Sequence, residues 1–205
     1  MSHTQRNPIT TDDVLVVVAH PDELNDDLRQ LPNLLLTGVG KVNATYALTR
    51  RLADLRHAGK MPKYVINLGS AGSRHHPRHS LVACHRFIQR DMDCTMIGYE
   101  HGTTPGDTCG AILEHARYVT DLPDGICGSG DSFVTTQSVR APIDVVEMEA
   151  YALARVCTME NVPFIAVKYI TDGLDAAGGD DWDDAVSSAA DKLYEYLMKL
   201  IKNLK

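Results

Sequence analysis

Residues 163–173 read Pro-Phe-Ile-Ala-Val-Lys-Tyr-Ile-Thr-Asp-Gly, a mostly apolar run that ends in a polar loop. Two earlier stretches have the same form, Val-Leu-Val-Val-Val-Ala-His-Pro-Asp-Glu at 14–23 and Tyr-Val-Ile-Asn-Leu-Gly-Ser-Ala-Gly at 64–72. All three are rich in Val and Ile and too short for helices, so they predict strands. Because their apolar residues do not alternate with polar ones, we expect these strands to be covered on both faces.

Helical segments between such strands indicate parallel crossovers. The sequence therefore predicts an α/β fold with a twisted, mostly parallel or mixed central sheet flanked by helices. We expect helices from Lys41 to about Leu55, from Ile143 to about Glu160, and from Trp182 to about Leu204. Residues 1–12 are predicted to be a flexible tail, and residues 13–205 a single domain.

Polar residues follow or end each of the three apolar runs. Glu23, Ser70 and Asp172 are far apart in the sequence, but all belong to the ends of predicted strands. Ligands of α/β sheets bind at the carboxyl ends of the strands. We therefore expect these three side chains to converge on one site.

Residues 144–151, Asp-Val-Val-Glu-Met-Glu-Ala-Tyr, place two carboxylates in an apolar segment. On a helix, Glu147 and Glu149 would point about 200° apart. Glu149 would share an apolar face with Ala152 and Leu153, where an ionised carboxylate needs a partner. Two interpretations remain open: an ion pair with a nearby Lys or Arg, or a carboxylate that binds a polyol ligand.

Several motifs, taken in order, resemble the purine nucleoside phosphorylase and nucleosidase superfamily, and within it the 5′-methylthioadenosine/S-adenosylhomocysteine nucleosidases. The resemblance spans roughly residues 14–200 and implies a nucleoside phosphorylase/hydrolase-like fold. The motifs are Thr-Gly-Val-Gly-Lys-Val-Asn at 37–43, Asn-Leu-Gly-Ser-Ala-Gly at 67–72, Gly-Asp-Ser-Phe-Val at 130–134, Val-Glu-Met-Glu-Ala at 146–150 and Ile-Thr-Asp at 170–172.

The implied reaction is hydrolysis of the N-glycosidic bond of an adenine nucleoside. Cleavage through an oxocarbenium-like sugar requires an activated leaving base, a nucleophile and groups that bind the sugar. By resemblance, Asp172 is the general acid that protonates N7 of the purine. Glu23 is the carboxylate that positions and deprotonates the attacking water.

The resemblance also implies a substrate-binding set. Within it, Glu149 accepts hydrogen bonds from the ribose hydroxyls, Met148 packs beneath the sugar, and Phe133 stacks on the base. The backbone of Val134 reads the purine edge. The complete set is Ser70, Phe133, Val134, Glu147, Met148, Glu149 and Thr171.

Each role has a simpler structural alternative. Asp172 precedes Gly173 and could be only a turn residue or a helix cap. Glu23 could be an acidic residue in a first helical turn, where the helix dipole favours it. Phe133 could be an ordinary core residue.

Hydrolysis is favoured over phosphorolysis. Related phosphorylases carry a phosphate-binding Arg at the position of Asn67, and the segment 22–28 is acidic and rich in amides. Three alternatives remain: a purine nucleoside phosphorylase, a nucleosidase that acts on a nucleotide such as AMP, and an inactive nucleoside-binding relative. In the nucleotide alternative, a 5′-phosphate would be recognised by Arg74, His75, Arg78 or His79. Otherwise that stretch is a solvated basic loop, since its spacing fits no usual zinc pattern. Arg86 and Arg90 carry the same ambiguity, and an ordinary surface ion pair is their simpler alternative.

Several features depart from the family pattern, and two of them bear on the site. Only thirteen residues separate Glu23 from Thr37, which predicts a sheet that is trimmed at one edge. Lys168 stands where many members have Arg, and we expect it to pair with a buried carboxylate, with Glu149 as a candidate.

Residues 172–181 are rich in Gly and Asp and are predicted to form either a lid over the site or a passive linker.

Composition agrees with a compact enzyme. The net charge of −7 argues against nucleic-acid binding, and 44% hydrophobic residues is typical of globular proteins. Five cysteines without CxxC spacing indicate reduced thiols, and no signal peptide or membrane span is apparent, so we expect a cytoplasmic protein. The resemblance implies a homodimer, in which residues 99–109 reach the partner's active site, and it implies no cofactor and no metal.

Overall fold

In the computed structural model, residues 8–134, 139–140, 142–174 and 182–204 are described. They form a mixed α/β fold of eight strands and four helices. The strands are β1 (Val14–Val18), β2 (Leu34–Leu36), β3 (Tyr64–Gly72), β4 (Leu81–Gln89), β5 (Leu113–Glu114), β6 (Asp124–Ser129), β7 (Val145–Glu147) and β8 (Phe164–Asp172). The helices are α1 (Asp26–Arg29), α2 (Lys41–His57), α3 (Ala150–Glu160) and α4 (Trp182–Asn203).

The strands form one mixed sheet in the order β2-β1-β3-β7-β6-β4-β5, and β8 joins both β3 and β4. Strand β8 runs parallel to β3 and antiparallel to β4. The strands β3, β8, β4, β6 and β7 therefore close into a ring. The ends of β3, β6, β7 and β8 come together at one side of this ring, as the register pairs of Gly72 with Val146 and of Ser129 with Glu147 show.

The central strands are buried on both faces, as the apolar runs predict. Leu15 and Val17 of β1 pack into the cluster that contains the buried residues of α2 and α3. Val14 and Val16 of the same strand pack into the cluster that contains α4. This division confirms the predicted arrangement of a sheet flanked by helices.

The predicted helix from Ile143 to Glu160 is wrong in its first part. Val145 to Glu147 form strand β7, and the helix begins only at Ala150, with Glu149 as its N-cap. The β-branched Val145 and Val146 pair with β6, and the side chain of Glu147 then accepts hydrogen bonds from the first backbone amides of the helix. Tertiary pairing therefore overrides the helical pattern.

Other predicted segments have different outcomes. The helices from Lys41 and from Trp182 form close to their predicted bounds. The short segment after Glu23 folds as α1 and the edge strand β2. Of the predicted tail, residues 1–7 lie outside the described residues, whereas Ile9 is buried in the core. Residues 175–181, which belong to the predicted lid or linker, also lie outside the described residues.

Within the described part of the chain, no helix is both long enough and apolar enough to cross a membrane.

Candidate active site

A cavity of about 200 Å³ lies where the ends of these strands meet. It brings together every residue of the predicted site. Those residues are Glu23, Ser70, Phe133, Val134, Glu147, Met148, Glu149, Thr171 and Asp172. The convergence of Glu23, Ser70 and Asp172 expected from the strand ends is therefore observed.

Glu23 is buried and held by two elements. Its Oε1 accepts hydrogen bonds from the Ser70 amide and the Ser70 hydroxyl, both at 2.7 Å. Its Oε2 accepts the amide of His20 at 3.3 Å, which closes a capping box around the short 3₁₀ turn Pro21–Glu23. Glu23 is thus an acidic residue in a first helical turn, as the structural alternative proposed, and it also lines the cavity.

Asp172 ends β8 and is buried. Its Oδ1 accepts the amide of Leu174 at 2.8 Å, and the Thr171 hydroxyl lies 3.1 Å from its Oδ2. The first contact is the turn interaction that the structural alternative predicted. Because Asp172 also lines the cavity, the turn fixes the direction in which its carboxyl group points.

Glu149 reaches across the cavity floor to the start of α2. Its Oε1 accepts the amide of Gly40 at 2.7 Å. Gly40 has φ +91°, a backbone conformation that favours glycine, and a Cβ there would lie 3.1 Å from Asp131 Oδ1. Burial, followed by the nearby charge of Glu147, raises the pKa of Glu149 to about 7.

Glu147 is buried, and its carboxylate accepts more hydrogen bonds from the protein than that of Glu149. Its Oε2 accepts hydrogen bonds from Lys168 Nζ at 2.9 Å and from the amides of Glu149 and Ala150 at 3.0 and 2.8 Å. Its Oε1 accepts the hydroxyl of Ser129. Although burial alone would raise the pKa of Glu147, the Lys168 charge and these hydrogen bonds lower it.

The expected partner of Lys168 needs correction. Its ammonium forms a buried ion pair with Glu147, not with the candidate Glu149. The reason is the unpredicted strand: β7 directs Glu147 inward beside β8, whereas Glu149 lies beyond the strand at the helix cap. Burial disfavours the ammonium, yet Glu147 raises the pKa of Lys168 overall.

The aromatic candidate lies at the cavity mouth. Phe133 is 68% exposed, which rules out the alternative that it is a core residue. Its neighbour Val134 is buried and lines the same cavity. An exposed aromatic ring above a buried carboxylate cluster provides a stacking surface for a planar base.

Several lining residues were not among the predicted site residues. They are Ala19, His20, Val39, Ala71, Gly72, Arg90, Ser132, Val146 and Leu174. Arg90 directly follows β4, a strand that is not among the three predicted from apolar runs. Its guanidinium donates to the carbonyl of Gly130 at 2.9 Å and to the hydroxyl of Ser132 at 3.1 Å. The sequence marked Arg90 only as a possible 5′-phosphate contact or a surface ion pair, because its place in this lining depends on the pairing of β4 with β6.

The basic stretch after β3 lies apart from this cavity. Arg74 and His75 line a neighbouring cavity with Asp144, and neither lines the cavity of Glu23 and Asp172. The ring of His79 contacts the Tyr169 hydroxyl at 2.9 Å. In the described ranges, no group of three or more His, Cys, Asp or Glu side chains is placed to hold a metal ion.

Comparison with known proteins at the level of sequence identifies the family of this chain. The profile of the phosphorylase superfamily matches residues 28–203. A 5′-methylthioadenosine/S-adenosylhomocysteine nucleosidase of Bacillus cytotoxicus is 31% identical, over 84% of this chain and 81% of the relative.

Solved structures share the fold. A 5′-methylthioadenosine/S-adenosylhomocysteine nucleosidase from Colwellia psychrerythraea, in complex with adenine, aligns with a TM-score of 0.82 at 20% identity, covering 97% of this chain and 98% of that one. The futalosine hydrolase of Helicobacter pylori aligns with a TM-score of 0.80 at 19% identity, covering 95% and 99%. Since two enzymes with different names share this fold, the fold alone does not decide the substrate.

Proposed function

The chain belongs to the phosphorylase superfamily, in the family of 5′-methylthioadenosine/S-adenosylhomocysteine nucleosidases, and we propose that its cavity hydrolyses the N-glycosidic bond of an adenine nucleoside of this type. The enzyme is an N-glycosyl hydrolase that releases the purine base. The observation that carries the proposal is the meeting of Glu23, Glu149 and Asp172 in one cavity beside an exposed Phe133.

Each carboxyl group has a separate task in this reaction. Asp172 gives a proton to N7 of the purine, so that the base leaves as a neutral molecule. Water adds its oxygen to C1′ as the bond to the base breaks, and Glu23 accepts the proton that the water loses. The two Ser70 hydrogen bonds fix the Glu23 carboxylate for this step. Glu149 accepts hydrogen bonds from the ribose hydroxyls and holds the sugar between the other two groups.

Water is the proposed nucleophile because the lining sets four carboxyl groups against the guanidinium of Arg90. Asn67, at the position of a phosphate-binding Arg, is buried and donates to the carbonyl of Val17 at 3.1 Å. Lys168 is committed to Glu147. Inorganic phosphate would therefore enter a lining that holds the carboxyl groups of Glu23, Glu147, Glu149 and Asp172, and like charge disfavours it there.

A phosphate-dependence assay tests this choice. Purified protein is freed of phosphate and given methylthioadenosine with and without added phosphate, and adenine and the sugar product are separated by chromatography. We expect equal rates and a free sugar in both cases. A strict phosphate requirement with a sugar 1-phosphate product would show a phosphorylase instead.

The basic stretch after β3 gives the nucleotide alternative no support, because Arg74, His75, Arg78 and His79 do not line the cavity. Arg90, another cation considered for a 5′-phosphate, does line it, but its guanidinium already donates to the Gly130 carbonyl and the Ser132 hydroxyl. The same assay with S-adenosylhomocysteine, adenosine, inosine and AMP identifies the preferred substrate. A strong preference for AMP would contradict our assignment. Binding of nucleosides without any turnover would favour the inactive relative.

The protein is proposed to act as a homodimer in the cytoplasm. A groove of about 870 Å³ runs between α2 and α3, and Val42, Tyr46 and Met159 on it are 77%, 66% and 72% exposed. The active-site cavity has a volume of about 200 Å³, which is smaller than the volume of ~300–1,000 Å³ that most small-molecule sites have. A second copy that covers the groove could bring its segment 99–109 to the open mouth beside Phe133.

A further inference from the structure

The carboxylate of Glu147 already accepts four hydrogen bonds from the protein. Both oxygens already accept hydrogen bonds, one from Ser129 and the other from Lys168 and two backbone amides. The side chains of Glu147 and Lys168 are 3% and 2% exposed. Although Glu147 borders the cavity, its contacts are therefore those of a support, not of a binding group.

This support acts on the residue that holds the sugar. Glu147 Oε2 accepts the backbone amide of Glu149 at 3.0 Å and that of Ala150 at 2.8 Å, so it caps the start of α3. The Glu149 backbone is thereby fixed at the point from which its side chain extends. From there its Oε1 reaches the Gly40 amide, and its carboxylate lies in the cavity.

Lys168 keeps this cap charged and in place. A carboxylate with this degree of burial needs a counter-charge, and Lys168 is the only cation within ion-pair distance of Glu147 among the described residues. Ser129 orients the second oxygen and also accepts the amide of Tyr151 at 2.7 Å, which ties β6 to the same helical turn. The chain of contacts thus runs from β8 through Glu147 to Glu149.

We propose that the buried pair of Glu147 and Lys168 positions Glu149 to bind the ribose hydroxyls and does not itself contact the substrate. This inference rests on the proposed function, since it assigns a sugar to Glu149. Lys168, Glu147 and Ser129 are positioning residues that act through Glu149.

The test compares two substrates that differ only where Glu149 would act. The variants Lys168→Met and Lys168→Arg are assayed with methylthioadenosine and with its 2′,3′-dideoxy analogue, which has no hydroxyls for Glu149. For Lys168→Met we expect kcat/KM to fall about 100-fold on methylthioadenosine, as for a misplaced binding group, and less than about 3-fold on the analogue. Lys168→Arg keeps the charge and should recover most of the activity. An equal loss on both substrates would overturn the proposal.

Removal of the ammonium leaves Glu147 buried without a counter-charge, so Lys168→Met could fail to fold. Ser129→Ala is the milder second variant, because it removes one neutral donor to Glu147. Its loss of kcat/KM should also be confined to the substrate with hydroxyls, and an equal loss or no loss at all would count against the proposal. Thermal unfolding monitored by circular dichroism establishes that each variant is folded.

A double substitution separates this inference from the proposed function. In a Glu149→Ala background, Ser129→Ala should change kcat/KM on methylthioadenosine little further, since the residue through which Ser129 acts is gone. Full additivity would show that Ser129 acts elsewhere. If the wild-type protein releases no adenine from any substrate, the proposed function itself fails, which is a different result from equal losses in an active enzyme.

Discussion

Ser70 donates two hydrogen bonds to the same oxygen of Glu23, one from its amide and one from its hydroxyl, both at 2.7 Å. The residues are 47 positions apart in the sequence and belong to different strand ends. Their contact fixes the carboxylate that is proposed to accept the proton of the attacking water. It also gives a direct way to test that role.

Ser70→Ala removes the hydroxyl contact and leaves the amide contact in place. A hydrogen bond to a charged group contributes about 1.5–3 kcal/mol, so we expect kcat/KM to fall about 10- to 100-fold. The matched control is Ser80→Ala, whose hydroxyl contacts only the carbonyl of Pro77 at 2.6 Å, away from the cavity. Adenine release measures both. Equal activity of the two variants would remove the hydroxyl from the mechanism.

Asp172→Asn keeps the size of the side chain and its turn contact but removes the transferable proton. We expect turnover to fall by about 10² to 10⁴ while substrate binding changes less. Single-turnover kinetics and equilibrium binding separate the two quantities. Asp121→Asn is the control, because Asp121 lies in an exposed pair with Lys199. Near-normal turnover of a folded Asp172→Asn variant would leave Asp172 as a turn residue only.

Gly72→Ala should displace the proposed acid without changing it chemically. A Cβ at Gly72 would lie 2.6 Å from Asp172 Oδ1 and would also overlap Leu174 Cδ2. We expect a loss of turnover comparable to that of Asp172→Asn. Adding Leu174→Ala relieves only the contact with Leu174. If that second change restores activity, the displacement of Asp172 is not the cause of the loss.

The pKa of Glu149 predicts an acid limb in the activity profile. Since burial and the Glu147 charge raise that pKa to about 7, the carboxyl group is neutral below this pH and ionised above it. The ionised form is the stronger acceptor for the ribose hydroxyls. We therefore expect kcat/KM to rise with pH through about 7, and Glu149→Gln to be less active and to lose this limb. An unchanged limb in the Gln variant would assign it to another group.

Met159→Asp tests the proposed dimer. Met159 is 72% exposed on the groove between α2 and α3, and a charge there would oppose burial against a second copy. Sedimentation should show a dimer for the wild type, a monomer for the variant, and reduced activity for that monomer. Gln30→Asp, at an exposed position outside the groove, should remain dimeric. A fully active wild-type monomer would remove the shared-site idea.

Sequence alone determined the layers of the fold and nine residues of the cavity lining. The apolar runs before Glu23 and Asp172 predict buried strands, because the residues of a strand covered on both faces are apolar without alternation. The ends of such strands meet, so distant residues could be assigned to one site. The resemblance added Phe133 and Glu149, and all of these residues do line one cavity.

Only the tertiary structure decided how the two carboxylates of the segment 144–151 differ. The helical pattern placed Glu147 and Glu149 on one helix and suggested Glu149 as the partner of Lys168. The segment is instead a short strand followed by a helix cap, because Val145 and Val146 gain more from pairing with β6 than from local helix formation. That pairing directs Glu147 to Lys168 and leaves Glu149 at the cavity. A local sequence pattern cannot predict this pairing, because the paired strands are distant in the sequence.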